Sequence, residues 1–148
     1  MIIEELKENE IPVIAELEKA SFSKPWSEDS IRDSFNNPSC SFFTAKDKEI
    51  IGYIGISIAA DEGYILNVAV FPERRNSGVG KSLVTFLINK YKEDLRFLTL
   101  EVRPSNKPAV NLYKSLGFEK AGERPSYYSN PTENALLLTK YFNSNIEK

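Results

Sequence analysis

The amino-acid sequence predicts an α+β fold with a mixed, mostly antiparallel sheet of six to seven strands flanked by helices. Three observations point there. Between Cys40 and Phe71, three apolar runs are joined only by Lys46-Asp47-Lys48-Glu49 and Asp61-Glu62, connections short enough for an antiparallel meander. The third run then passes through a glycine loop into a helical pattern, and a second strand-loop-helix unit follows. At 148 residues with 41% hydrophobic content, the chain holds material for one core, so a single domain over residues 1–148 is expected.

The elements follow in order. Residues 2–6 read as a short strand, and Asn9 precedes a helical pattern in which Val13, Ile14, Leu17 and Ala20 recur at three- and four-residue spacing. Pro12 falls early enough for a first turn. Ser27 is a good N-cap, Glu28 and Asp29 suit a helix start, Ile31 and Phe35 mark its apolar side, and Asn36-Asn37-Pro38 ends it. Strands are predicted over 40–45, 50–59 and 63–71. A helix over 79–91 would bury Val79, Leu83, Phe86, Leu87 and Tyr91. A strand over 97–102 leads to Asn106 as N-cap of a helix over 107–116, stopped by Gly117 as a C′ glycine. The last strands, 118–121 and 135–141, flank a polar loop carrying Tyr127 and Tyr128, and residues 143–148 are expected to fray.

Composition narrows the chemistry. A formal net charge of −2 from interspersed charges contains no basic block for nucleic-acid phosphates, so no nucleic acid is expected as a ligand. The longest apolar run, 50–60, is broken by Gly52, Gly55 and Ser57 and falls short of the roughly 20 residues of a spanning helix. No secretory signal opens the chain and Cys40 has no internal disulfide partner, so a cytoplasmic protein without membrane attachment is expected. Cys40 reads as a buried strand thiol. The chain has no histidine, which excludes His-based triads and, with one cysteine, any Cys/His zinc site; no metal is expected.

The run Arg75-Asn76-Ser77-Gly78-Val79-Gly80-Lys81 joins a strand to a helix. Backbone N–H groups converge there before the positive end of the helix dipole, a cradle for pyrophosphate. Gly80-Lys81-Ser82 also matches the end of a nucleotide-binding P-loop, and Phe97-Leu98-Thr99-Leu100-Glu101 imitates its partner strand. A P-loop, however, requires glycine where Arg75 stands, and a parallel core needs more chain. The plainer reading is a tightened turn, against which Arg75 and Lys81 add charge where phosphate would sit. Glu101 shares a strand face with Thr99 and Arg103, opposite Leu98, Leu100 and Val102. A carboxylate near a sheet centre is either paired, with Arg103 or another base, or used in chemistry. On spacing alone Tyr113 is a core residue and Asn106 a helix cap. Trp26, Tyr127 and Tyr128 fit a lid or ordinary packing.

Four motifs carry a family resemblance over nearly the whole length. They are Leu66-Asn67-Val68-Ala69-Val70, the R-x-x-G-x-G loop from Arg75 to Gly80, Leu100-Glu101-Val102-Arg103-Pro104-Ser105-Asn106, and Leu112-Tyr113-Lys114-Ser115-Leu116-Gly117-Phe118. With them the chain resembles the GCN5-related N-acetyltransferases, the GNAT family. Within it, Lys24-Pro25-Trp26-Ser27-Glu28 and Tyr127-Tyr128 are similar to the bacterial enzymes that acetylate the N-terminal alanine of a small-subunit ribosomal protein. The resemblance implies a GNAT fold, acetyl-CoA as co-substrate, no metal, and the N-terminal segment of a ribosomal protein as acceptor; the sequence leaves the oligomeric state open, with a monomer compatible. It further implies that Val68, Ala69 and Val70 offer strand-edge backbone groups to the pantetheine arm, with Val70 N–H a donor to the thioester oxygen. Asn76, Ser77, Gly78, Val79, Gly80 and Lys81 would hold the pyrophosphate, and Asn106 would contact coenzyme A. Glu101 becomes the general base and Tyr113 the general acid, whereas Arg75 need not touch phosphate.

Two departures bear on the acceptor: Lys24 replaces an expected aromatic, and Asn134 stands where an acidic residue often precedes the last strand. Glu28, Asp29, Asp61 and Glu62 are candidates to attract a basic peptide, with solvated surface charge as the plainer reading. The competing functions are acetylation of a small amine or a lysine side chain, a non-catalytic coenzyme A-binding module, and a P-loop NTPase.

Overall fold

The computed structural model describes residues 1–142. The expected fraying of residues 143–148 therefore lies outside the described residues. Seven strands, β1 (Ile2–Glu5), β2 (Cys40–Asp47), β3 (Glu49–Ala59), β4 (Glu62–Val70), β5 (Phe97–Val102), β6 (Glu119–Tyr128) and β7 (Glu133–Tyr141), form one sheet in the order β1-β2-β3-β4-β5-β7-β6. All neighbours are antiparallel except β4 and β5. That parallel pair needs a long crossover, and α3 (Val79–Tyr91) supplies it. The α+β sheet expected from the sequence is thus present. Its single parallel pair rules out the parallel core that a P-loop NTPase requires.

Helices cover both faces. Leu83, Val84 and Leu87 of α3, with Val110 and Tyr113 of α4 (Lys107–Ser115), pack on Ile54, Ile56, Leu98 and Leu100. On the other face Ile11, Ile14 and Leu17 of α1 (Ile11–Ser21) and Ile31 of α2 (Glu28–Phe35) pack on Phe42, Tyr53 and Ala69. Ser27 caps α2 by accepting Ser30 N–H at 3.1 Å. Gly117 follows α4 at φ +95°, as the C′ reading requires. No helix among the described residues is long and apolar enough to cross a membrane.

Three expectations change. A 3₁₀ turn (Glu8–Glu10) contains Asn9, so Glu10 rather than Asn9 precedes α1. β6 is far longer than expected and contains Tyr127 and Tyr128 inside the strand instead of a loop. It is an edge strand exposed along most of its length, so it lacks the apolar alternation that reveals a half-buried strand. Cys40 is half-buried at the start of β2, not fully buried.

One irregularity positions the site. Ile54 pairs with Val68 and Ile56 with Ile65, so Leu66 and Asn67 together oppose only Gly55. This is a β-bulge, which bends its strand. Residue 55 has to be small, because a Cβ there would lie 2.6 Å from the Phe42 ring. β4 and β5 meet only at Glu62↔Phe97, Gly63↔Leu98 and Tyr64↔Thr99. Beyond Tyr64 the two strands part, and a cleft opens between them.

Candidate active site

A cavity of about 430 Å³ lies where the strands part. Its walls come from the end of α1 and the following loop, β4 from Tyr64 to Val68, β5 from Leu100 to Val102, the head of α4, and Tyr127 to Ser129.

Next to this cavity, past the Val70 end of β4, the chain presents backbone. Gly78 precedes α3 at φ +86°, a conformation that an L side chain rarely adopts, and no side chain caps the helix. The first intrahelical bond runs from Ser82 N to Gly78 O at 3.0 Å, so the N–H groups of Val79, Gly80 and Lys81 have no acceptor within the helix. Asn76 and Ser77 are exposed beside them, and Asn76 also has positive φ, 62°. Val79 turns its side chain into the core and offers only its amide outward. Arg75 departs from the expectation of charge at the loop mouth. Its guanidinium donates to Val70 O at 2.9 Å, Ser21 Oγ at 3.1 Å and Ala20 O at 3.4 Å, bracing the loop against β4 and α1.

The β4 edge follows from ladder geometry. Phe71 N donates to Ile51 O, so in this antiparallel pair alternate residues turn the other way. Ala69 N–H therefore faces β3, while the amides of Val68 and Val70 face the cleft. Val68 lines the cavity; Val70 lies outside it, beside the α3 loop.

The other side is made of side chains. Leu98, Leu100 and Val102 are buried on one face of β5, and Glu101 lies on the opposite face, as the alternation predicts. Its side chain is only 6% exposed. Tyr64 OH donates to Oε1, and Arg124 Nε lies 2.6 Å from Oε2, an ion pair not aligned as a hydrogen bond. The partner of Glu101 is thus Arg124 and not Arg103. Arg103 instead donates to Pro131 O and Ser129 O, pairs with Glu133 at 3.4 Å, and stacks over the Tyr128 ring at 4.5 Å.

Tyr113 satisfies both sequence readings. Its ring is buried and meets Phe118 edge-on at 5.6 Å, and the residue also lines the cavity. Burial first, then the nearby Tyr128, pushes its hydroxyl well above the ordinary tyrosine range. Such a phenol keeps its proton at neutral pH. Tyr128 is likewise pushed up to about 12, chiefly by burial. Asn106 caps α4 by accepting Ala109 N–H at 3.3 Å and lines the cavity, as does Trp26.

Sequence reasoning missed Tyr64, Arg124 and Glu18. Glu18 is fully buried although it bears a carboxyl, and accepts Trp26 N–H at 2.9 Å, Tyr53 OH at 2.5 Å and Asn67 Nδ2 at 3.0 Å. The signal was present: Ile11, Ile14, Ala15 and residue 18 form one helical stripe, and a carboxylate at its end breaks the apolar pattern. The acidic candidates prove to be mostly paired. Glu28 bonds Arg32, and Asp61 and Glu62 bond Arg96, so these three read as surface charge. Asn134 lies within β7, where its Oδ1 accepts Ser126 N–H at 2.9 Å.

Residues 11–118 match the model of the acetyltransferase (GNAT) family. The chain is 37% identical over 139 residues, 92% of each chain, to a Bacillus subtilis protein provisionally named a [ribosomal protein bS18]-alanine N-acetyltransferase. It is 30% identical over 139 residues, 92% of this chain and 94% of the relative, to the [ribosomal protein bS18]-alanine N-acetyltransferase of Escherichia coli K12. The crystal structure of the ribosomal-protein-S18-alanine N-acetyltransferase from Escherichia coli superposes with a TM-score of 0.88 at 28% identity, covering 95% of this chain and 93% of that one.

Proposed function

The chain belongs to the GNAT family of N-acetyltransferases, and from that membership we propose that it moves the acetyl group of acetyl-CoA to the α-amine of the N-terminal alanine of ribosomal protein bS18, as RimI-type enzymes do. The observation that carries the chemistry is that Glu101 and Tyr113 line one cavity at the open edge of β4. The relatives' names support the acceptor. Residues 1–148 act in this proposal as one domain in the bacterial cytoplasm, supported by the single sheet that binds all the described elements.

Acetyl-CoA fits the backbone side of the cleft. The uncapped amides of Val79, Gly80 and Lys81, with Asn76, Ser77 and Gly78, hold the pyrophosphate. The pantetheine arm runs along Val68, Ala69 and Val70. Because Ala69 N–H faces β3, its contribution is steric, and Val68 and Val70 supply the donors. Val68, which lines the cavity, replaces Val70 as the better-placed donor to the thioester oxygen. Asn106 contacts the coenzyme at the far wall.

The reaction then needs no metal and no covalent enzyme intermediate. An α-ammonium has a pKa of about 8, so a carboxylate readily generates the free amine near neutral pH, whereas a lysine side chain would need more help. Glu101 takes that proton, and the incoming ammonium competes with Arg124 for the carboxylate. The amine attacks the thioester carbon, backbone N–H groups hold the oxyanion, and the C–S bond breaks. Tyr113 gives its proton to the departing thiolate and recovers one from the nitrogen, which sheds its second proton as the amide forms, leaving acetylated peptide, coenzyme A and a protonated Glu101 that releases its proton to solvent.

The test is a panel of bS18 N-terminal peptides varied at the first residue, run beside lysine-containing peptides and polyamines. Preference for the alanine peptide is expected. Preference for a small amine or a lysine would overturn the acceptor, and coenzyme A binding with no transfer to any amine would leave a binding module.

A further inference from the structure

Glu18 is a buried carboxyl that the chemistry above does not use. Three neutral donors hold it rather than a cation, and each comes from a different place. Trp26 N–H belongs to the loop lining the acceptor side of the cavity, Tyr53 OH to β3, and Asn67 Nδ2 to the bulge immediately before Val68. We propose that Glu18 is a positioning residue for acetyl transfer: its carboxyl ties the loop at residues 22–26 to the Leu66-Asn67 bulge and so fixes the width of the space in which amine and thioester meet.

Several facts converge on this role. The loop is lightly held before Trp26: Phe22 is 37% exposed and Lys24 is exposed, so beside the packing of the Trp26 ring on the core the bond to Trp26 N–H is the polar anchor from loop to helix. The bulge also needs an anchor, because Asn67 lies where β4 has lost its regular pairing with β3 and has parted from β5. Asn67 Nδ2 lies 3.0 Å from Glu18 Oε2 and 3.4 Å from Tyr53 OH, so the carboxyl and the phenol share it. Burial pushes the Glu18 carboxyl up while the three donors pull it down. Either protonation state still offers oxygens to all three. A misplacement of about 1 Å between reacting groups is enough to cost roughly a hundredfold in rate, so a strut spanning loop and bulge has kinetic weight.

The proposal rests on the acetyltransfer reading, and its test separates the two. Trp26 is the only tryptophan in the chain, so intrinsic emission reports on this loop without any acceptor present. Glu18→Ala is expected to shift that emission to the red and raise the acceptor KM roughly tenfold, the loss of a hydrogen bond to a charged group, with acetyl-CoA affinity unchanged. Glu18→Gln keeps the shape. With the Asn67 amide turned and the Tyr53 hydroxyl accepting, it bridges the same groups and restores emission and KM to within about threefold of the parent. Equal damage from Gln and Ala would show that the negative charge itself is used and would overturn the positioning role. A lower melting temperature with unchanged emission and KM would overturn it too. Should Glu18→Ala not fold, Asn67→Ala detaches the bulge while leaving α1 intact; the acceptor KM should rise roughly threefold, and no rise rejects the strut. Emission and acetyl-CoA titration need no acceptor, so they stand whichever amine is turned over.

Discussion

The N-terminus of α4 lines the cavity and the N-terminus of α3 lies just outside it, beside Val70, and the two are finished differently. Asn106 closes α4 with its own side chain, whereas Gly78 leaves the first amides of α3 bare. A side-chain cap contributes about 1 kcal/mol to a helix. At α3 that cap is absent and positive φ selects glycine; in the function proposed above, the pyrophosphate takes its place. The same contrast extends across the cleft. The coenzyme side presents peptide groups from a bulged strand and a glycine loop, and the acceptor side presents a carboxylate, phenols and a guanidinium. Backbone binding tolerates most side-chain changes but is sensitive to conformation; side-chain chemistry is the reverse.

The largest break in this comparison comes on the acceptor side. Tyr113→Phe and Glu101→Gln should each lower kcat by roughly 10²–10⁴-fold while acetyl-CoA titration gives an unchanged Kd; near-parental rates in both would remove them from the chemistry. On the coenzyme side only the backbone is vulnerable. Gly78→Ala places a Cβ on a left-handed residue and should weaken acetyl-CoA binding about tenfold with little change in acceptor KM. Ser27→Ala removes a cap outside the cavity wall. It should lower the melting temperature by roughly 3 °C and leave acetyl-CoA affinity alone, in contrast to Gly78→Ala.

The smallest effect is a pH dependence. Ser105 chiefly, then Arg103, hold Glu133 below the ordinary carboxylate range. A carboxyl depressed in the folded state stabilises at neutral pH, and that contribution disappears as pH falls through its folded value. Parent and Glu133→Gln should therefore differ in melting temperature at pH 7 and converge only as pH falls below the ordinary carboxylate range; a difference that persists in acid would show that the Ser105 and Arg103 contacts do not depend on the charge.

The strands and helices were legible where apolar period is strong: 97–102 matches β5 and 79–91 matches α3 residue for residue. β6 was legible only at its start, because pairing with β7, not burial, specifies the rest of this exposed edge. The glycine loop announced itself through residue type. Arg75, in contrast, carries the charge expected of a phosphate ligand but turns to Val70 O and Ser21, a choice set by tertiary geometry. Glu101 was visible as a costly carboxylate, but its partners Tyr64 and Arg124 are 37 and 23 positions away in the chain and come together only through sheet order.

The brief seam between β4 and β5 gives the molecule two wings, one of four strands and one of three. Coenzyme A lying along the bare edge of β4 and reaching Asn106 on the far wing would act as a suture between them. Occupancy should then slow amide hydrogen exchange in both wings at once, so that the scaffold stiffens before the peptide arrives.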